Sequence, residues 1–201
     1  DNKIFFLVEK DKIKNLKIKS IFNFDNLEIS YKSNKLKKRL PNYNNKIIIK
    51  NDFLEINYSK DKTKISAIGK YSINKSYDNF NIDVIKEKDL YKFNSSFEIN
   101  SSSIKIDEID YTKDKNINSI LNINGNYLFN KDLQINEARF LDGKNSIFIS
   151  NLNLSNTLKV KDIDKLELNY LNQYNRLNNI KILKNKNLFE LSGIHFDGKP
   201  L

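Results

Sequence analysis

From Tyr91 the chain alternates strictly. Tyr91, Phe93, Ser95, Phe97 and Ile99 are separated by Lys92, Asn94, Ser96 and Glu98. The same beat returns at Leu121, Ile123, Gly125, Tyr127 and Phe129, with Asn122, Asn124, Asn126 and Leu128 between them. Successive side chains of a strand point to opposite faces, so each run makes a strand with one apolar and one wet face. Shorter versions occupy most of the remaining chain. They run through Leu16 and Ile18, Phe22 and Phe24, Leu27 to Tyr31, Ile47 to Ile49, and Leu54 to Tyr58. They continue at Ile65 to Ile73, Phe80 to Val84, Ile147 to Leu154, Leu166 to Tyr170, Ile180 to Ile182, and Phe189 to Gly193. Only Ser33 to Leu40 departs from the pattern. A capping Ser33 or Asn34, apolar Leu36 and Leu40 and a stop at Pro41 predict one short helix there.

Two paired runs slip their alternation by one residue. Ile104 and Ile106 give way to Ile109 and Tyr111 across Asp107-Glu108, and Leu133 and Ile135 to Ala138 and Phe140 across Asn136-Glu137. One inserted residue is the trace of a β-bulge, so each run is expected as a bulged companion strand. Tyr91–Tyr111 and Leu121–Phe140 then match as repeated hairpins, and Gly69-Lys70-Tyr71 echoes Gly125-Asn126-Tyr127. Polar breaks such as Asp61-Lys62, Lys86 to Asp89 and Asn130 to Asp132 supply the turns. With five glycines, turns that need positive φ are expected to use Asn or Asp. No composition shift marks a boundary, and residues 1–201 read as a single repetitive β segment of a longer protein.

Composition narrows the chemistry. The chain is 39% hydrophobic and 30% charged, with a net charge of +10. A basic balance can serve nucleic acid, anionic lipid or solubility alone. The lysines sit mostly on the polar beat and the aromatics on the apolar one. Base stacking over phosphates needs the two interleaved on one face, so no nucleic-acid partner is expected. There is no cysteine and no apolar run of about 20 residues, the length of a membrane span. The single histidine, His195, lies near Ser192 and Asp197, but no nucleophile elbow surrounds Ser192. Asp107, Glu108 and Asp110 lack the spacing and loop glycine of a calcium site. No catalytic residue, metal or cofactor is expected, and the chain reads as a non-enzyme.

The last residues, Phe189-Glu190-Leu191-Ser192-Gly193-Ile194-His195-Phe196-Asp197-Gly198-Lys199-Pro200-Leu201, carry a short motif at Gly193, Phe196, Asp197, Gly198, Pro200 and Leu201. With the hairpin style before it, this resembles the AsmA-like superfamily, in particular its YhdP/TamB-type members. The resemblance implies an all-β chain of antiparallel hairpins curled into an extended open groove. In that family such grooves are thought to pass phospholipid between the inner and outer membranes of the cell envelope. It places the chain in the periplasm, anchored to the inner membrane through a segment outside this chain. The expected partners are phospholipid acyl chains and components of the two membranes. The apolar beat then nominates Tyr71, Ile73, Phe93, Phe97, Ile99, Leu121, Ile123, Tyr127, Phe129 and Phe140 as groove lining. A closed β-sandwich binding module and a β-jelly-roll of the lipopolysaccharide-export type remain the alternatives, because a sealed core would bury the same beat.

Overall fold

The structure, a computed structural model, describes residues 1–9 and 12–195. The chain begins as an antiparallel meander in which each strand pairs with the next: β1 (Asn2–Glu9), β2 (Lys12–Ser30), β3 (Lys46–Ser59), β4 (Lys62–Ser72), β5 (Asp78–Glu87) and β6 (Leu90–Glu98). A short helix, α1 (Asn34–Arg39), interrupts the passage from β2 to β3. After β6 the chain leaves the sheet. β7 (Ile104–Ile106), a 3-10 turn at Asp107–Ile109 and β8 (Tyr111–Lys113) form a separate two-stranded ribbon. The meander then resumes with β9 (Ser119–Leu128), β10 (Leu133–Asp142) and β11 (Asn145–Leu154). The short β12 (Val160–Asp162) pairs with β11 alone, and β13 (Lys165–Leu171), β14 (Leu177–Asn185) and β15 (Leu188–His195) complete the sheet. All thirteen strands of this sheet are antiparallel to their neighbours, and β1 and β15 remain its two edges.

The sheet is thus an open trough, not a closed barrel. Each strand pair twists by about 20–25°, which curls a sheet of this width. Bulges sharpen the bend at Asn51/Phe53, opposite Gly69, and at Ile135/Glu137, opposite Gly125. Both glycines permit a backbone approach that a side chain would block. A Cβ on Gly69 would stand 2.7 Å from Asn51 Cα, and one on Gly125 would stand 3.0 Å from Ile135 Cα. The accessible surface is 13559 Å². A compact protein of 23.7 kDa exposes about 9,800 Å², so the molecule is far from sealed.

Alternation of direction sorts the connections onto two rims. One rim carries α1, the β4–β5 connection, the residue 99–118 insert, and the β10–β11 and β13–β14 turns. We call it the capped rim. Among the described residues, the opposite, open rim has the turns β3–β4, β5–β6, β9–β10 and β14–β15 and the loop around β12.

The fold answers several expectations from the sequence. The helix forms where the cap predicted it, with Ser33 Oγ accepting from Leu36 N at 3.2 Å. The bulge at Asn136-Glu137 is present, with Asn136 as the extra residue. Seven of the ten described non-glycine residues at positive φ are Asn or Asp. The expected companion strand at Ile104 to Tyr111 is corrected. Asp107-Glu108 is a 3-10 turn, closed by Asp110 in the left-handed region, and it folds the chain over the sheet face. The repeat of Tyr91–Tyr111 with Leu121–Phe140 therefore ends after the first strand.

Candidate functional site: the inner face of the trough

Directly paired residues of neighbouring strands share a face, so the register maps the inner face row by row. One row runs Phe24, Asn51, Gly69, Phe80, Phe97, Leu121, Phe140, Ile147, Leu168, Ile180 and Gly193. The next, toward the open rim, runs Phe22, Leu54, Ala67, Ile82, Ser95, Ile123, Ala138, Ile149, Leu166, Ile182 and Leu191. A third includes Ile56, Ile65, Val84, Phe93, Gly125, Ile135 and Leu152. At about 4.8 Å per strand, rows across ten strand spacings extend about 48 Å. The outer face carries the polar beat, such as Asp83, Asn94, Asn124, Glu137 and Ser150 in one row.

The insert covers part of this face. Tyr111 is fully buried, with its ring edge-on to Phe140 at 6.3 Å and to Tyr170 at 5.7 Å between centroids. Leu168 and Ile180 complete the cluster, with Ile104, Ile106 and Ile109 of the insert packed against it. Polar groups fasten the insert. Tyr111 OH donates to Asp142 Oδ2 at 2.6 Å, and Tyr170 OH to the Ile109 carbonyl at 2.8 Å. The buried Asp78 carboxylate accepts from Asn100 N and Ser101 N at 3.1 Å and from Ser101 Oγ at 2.6 Å. The buried Lys113 ammonium donates to the carbonyls of Ser102 at 2.7 Å and Asp114 at 3.0 Å. Burial is the first cause that raises the Tyr111 phenol, and the adjacent Asp142 carboxylate adds to it. Burial lowers the Lys113 ammonium against the pull of Asp142 and Asp78. On the far side, Arg39 makes a bidentate pair with Glu108, whose carboxyl is lowered to about 2, first by that hydrogen bond.

The nominated residues divide accordingly. Phe93, Phe97, Ile123 and Tyr127 lie half-buried on the inner face, Tyr127 with its ring 6.0 Å from Tyr91. Tyr71 sets its ring against Phe80 and Phe97 and donates to the Glu98 carbonyl at 2.6 Å. Ile73 is buried at the capped rim. Phe140, Leu121 and Ile99 belong to the stretch covered by the insert, so the uncovered lining shifts to the second and third rows. Phe129 is on neither face. The strand ends at Leu128, and Phe129 stands in the open-rim turn, 53% exposed. Of the family motif, Gly193 is in β15 beside a bulge, while Phe196, Asp197, Gly198, Pro200 and Leu201 lie outside the described residues. Sequence reasoning missed Tyr111 and Lys113 as the insert's anchors. The signal was the acidic triplet that breaks the beat just before them.

Among the described residues, no three His, Cys, Asp or Glu side chains gather as a metal site. No helix among them is long and apolar enough to cross a membrane. Comparison with family models, curated proteins and solved structures finds no match to this chain.

Proposed function

We propose that the trough is a non-enzymatic binding surface for phospholipid acyl chains, part of a periplasmic conduit between the inner and outer membranes. The observation that carries this reading is the apolar run of the second and third rows, interrupted by Ser95, whose members other than Ser95, Gly125 and Ile135 stay only partly buried. A lipid tail spans half of a hydrocarbon core of about 30 Å, so about three strand spacings hold one tail. Each methylene removed from water contributes about 0.8 kcal/mol, and a trough that contacts one side of the tail captures about half of that. Near-equivalent neighbouring stretches let a tail move along the row with little net change. The headgroup stays in water at the open rim. The resemblance at Gly193 agrees with this reading and supplies its envelope setting.

The test is lipid extraction from the purified protein, read by mass spectrometry. Phospholipid is expected in the parent, with a large drop in Phe93→Asp and Ile123→Asp and none in the outer-face control Asn94→Asp. A parent free of lipid, or inner-face variants that retain it, would sink the reading.

A further inference from the structure

The sheet ends in two unguarded edges. β1 pairs with β2 on one side and β15 with β14 on one side, and among the described residues no strand pairs with the free side of either. In an antiparallel ladder every second residue turns its N–H and C=O outward, so each free side is a row of unmet donors and acceptors. Edge strands are usually kept short, charged or broken by proline to prevent pairing. These two hold eight residues each, and neither contains proline. Ile4 to Leu7 are four apolar residues without a charge, and β15 has Glu190 as its one acidic or basic side chain besides His195.

The side chains narrow what such an edge accepts. Both edges are apolar on both faces. On the inner face Ile4 is 60% exposed and Leu191 70%; on the outer face Phe5 is 59% exposed and Leu188 73%. The occupant of β15 is therefore an extended strand with apolar groups on both faces, and β1 is such a strand. Direction agrees as well. Twelve strands lie on the hydrogen-bonded path, an even number, so β1 and β15 run in opposite senses. A second copy set beside the first in the same orientation brings its β1 antiparallel to β15, with inner face beside inner face.

We propose that copies of this chain join head to tail, β1 of one adding to β15 of the next, so that the trough is lengthened by continuation of its own ladder. With Ile4 of the second copy opposite Leu191, Phe6 falls opposite Phe189 on the inner face and Leu7 opposite Leu188 on the outer. Lys3 then stands diagonal to Glu190, within reach of its carboxylate. One kind of contact covers both edges, whereas pairing of β15 with itself leaves β1 bare. A head-to-tail contact of this kind does not close and adds copies with concentration. The proposal does not rest on the acyl-chain reading, since association is read without lipid.

The test is analytical ultracentrifugation at raised ionic strength, which screens the repulsion between copies that each carry +10. The parent mass is expected to rise with concentration beyond that of two copies. Ile4→Lys/Phe6→Lys blocks β1 and Phe189→Lys/Leu191→Lys blocks β15, all at side chains more than half exposed, so the circular dichroism of both variants should match the parent. Each variant alone should stay at the mass of one copy. Their equimolar mixture should reach the mass of two copies and stop, because one free β1 meets one free β15. Cross-linking gives the same reading independently of these variants, because the chain has no cysteine. Ile4→Cys mixed with Leu191→Cys should be joined by a short bismaleimide more than either is joined to itself. A parent that stays at one copy would overturn the proposal. So would association that persists in either blocked variant alone, which would mean self-pairing of one edge or contact through a sheet face, a mixture that remains at one copy, or cross-links formed only within a single variant.

Discussion

Gly125→Ala is the sharpest probe of how the trough is bent. Gly125 pairs with Ile135 at the β10 bulge. A Cβ built there would overlap the Gln134 carbonyl oxygen, and it would stand 2.9 Å from Phe93 Cζ and 3.0 Å from Ile135 Cα. The first and third of these belong to the backbone of the adjacent strand and cannot rotate away. The strands must separate, which weakens ladder hydrogen bonds on both sides of the bulge. Overpacking of this kind costs about 3 kcal/mol, and for a chain of this size that lowers Tm by about 6–12 °C. Differential scanning calorimetry or a urea titration reads it. The double variant with Phe93→Ala discriminates the source of the strain. Removing the ring should not restore stability, because the main obstruction is backbone. A Gly125→Ala protein within 2 °C of the parent would refute the reasoning, and rescue by Phe93→Ala would show that the crowding is only side chain.

Other predictions bear on the insert. Tyr111→Phe removes the donor to Asp142 and should cost about 1–3 kcal/mol in urea unfolding. Because burial holds the Tyr111 and Tyr71 phenols above their ordinary value of 10.0, their contribution is complete below pH 10 and lost as pH rises further. Alkaline destabilisation should accordingly be shallower in Tyr111→Phe. Glu108 is depressed from 4.5 to about 2, so its tie to Arg39 is complete above pH 4.5 and lost as pH falls toward 2. The hydrogen-exchange protection factors of residues 103–114, with the intrinsic pH dependence of exchange divided out, should fall over that window in the parent and be already low at neutral pH in Arg39→Ala. Glu98 and Ile120 are cross-strand partners, so residues 99–119 can be replaced by an Asn-Gly turn. The far-ultraviolet spectrum of the sheet should persist while dye binding to the newly bared Phe140, Leu168 and Tyr170 rises; collapse of the spectrum would mean that the insert is essential to the sheet.

Much of the sheet was legible because a strand with one wet face records its own geometry. The alternation at Leu121 to Tyr127 places each of those residues on the face where it is found, and the slip at Asn136 records its bulge. The helix at Asn34–Arg39 was legible because Ser33 and Pro41 act locally. The insert was not. Ile104 and Ile106 alternate like any strand, and nothing local says whether they join the main sheet or turn back over it. The decision is made by Asp110 in the left-handed region, by Lys113 reaching carbonyls of its own insert, and by Tyr111 reaching Asp142, thirty-one residues away in sequence. Phe129 misled for a different reason. The apolar beat runs one position past the last strand residue, Leu128, and periodicity carries no mark of where pairing stops.

The openness of the trough follows from how the sheet is stabilised. Outside the insert, nearly every strand contacts only its neighbours in sequence, as in a repeat protein whose stability is a sum of adjacent interfaces. A compact globule must seal its core, because the core is what holds distant segments together. A meander need not, since each hairpin is held by its own ladder and cross-strand pairs. The burial pattern bears this out. Of the buried apolar residues, Tyr111, Phe140, Leu168, Tyr170 and Ile180 form one cluster at the insert, and Tyr43 and Ile73 sit at the capped rim. Among the described residues, Phe80 and Ile135 are the large apolar side chains buried on the rest of the inner face, beside the polar Asn51 and Ser95. The remaining apolar rows are therefore not required to be dry for the sheet to persist. Their alternation is maintained across strands that would stand equally well with Thr or Ser at half of those positions, given the β propensity of Thr and its cross-strand hydrogen bonding. An apolar surface kept where folding does not demand it is a surface left for a partner to cover, the place the proposed function gives to acyl chains.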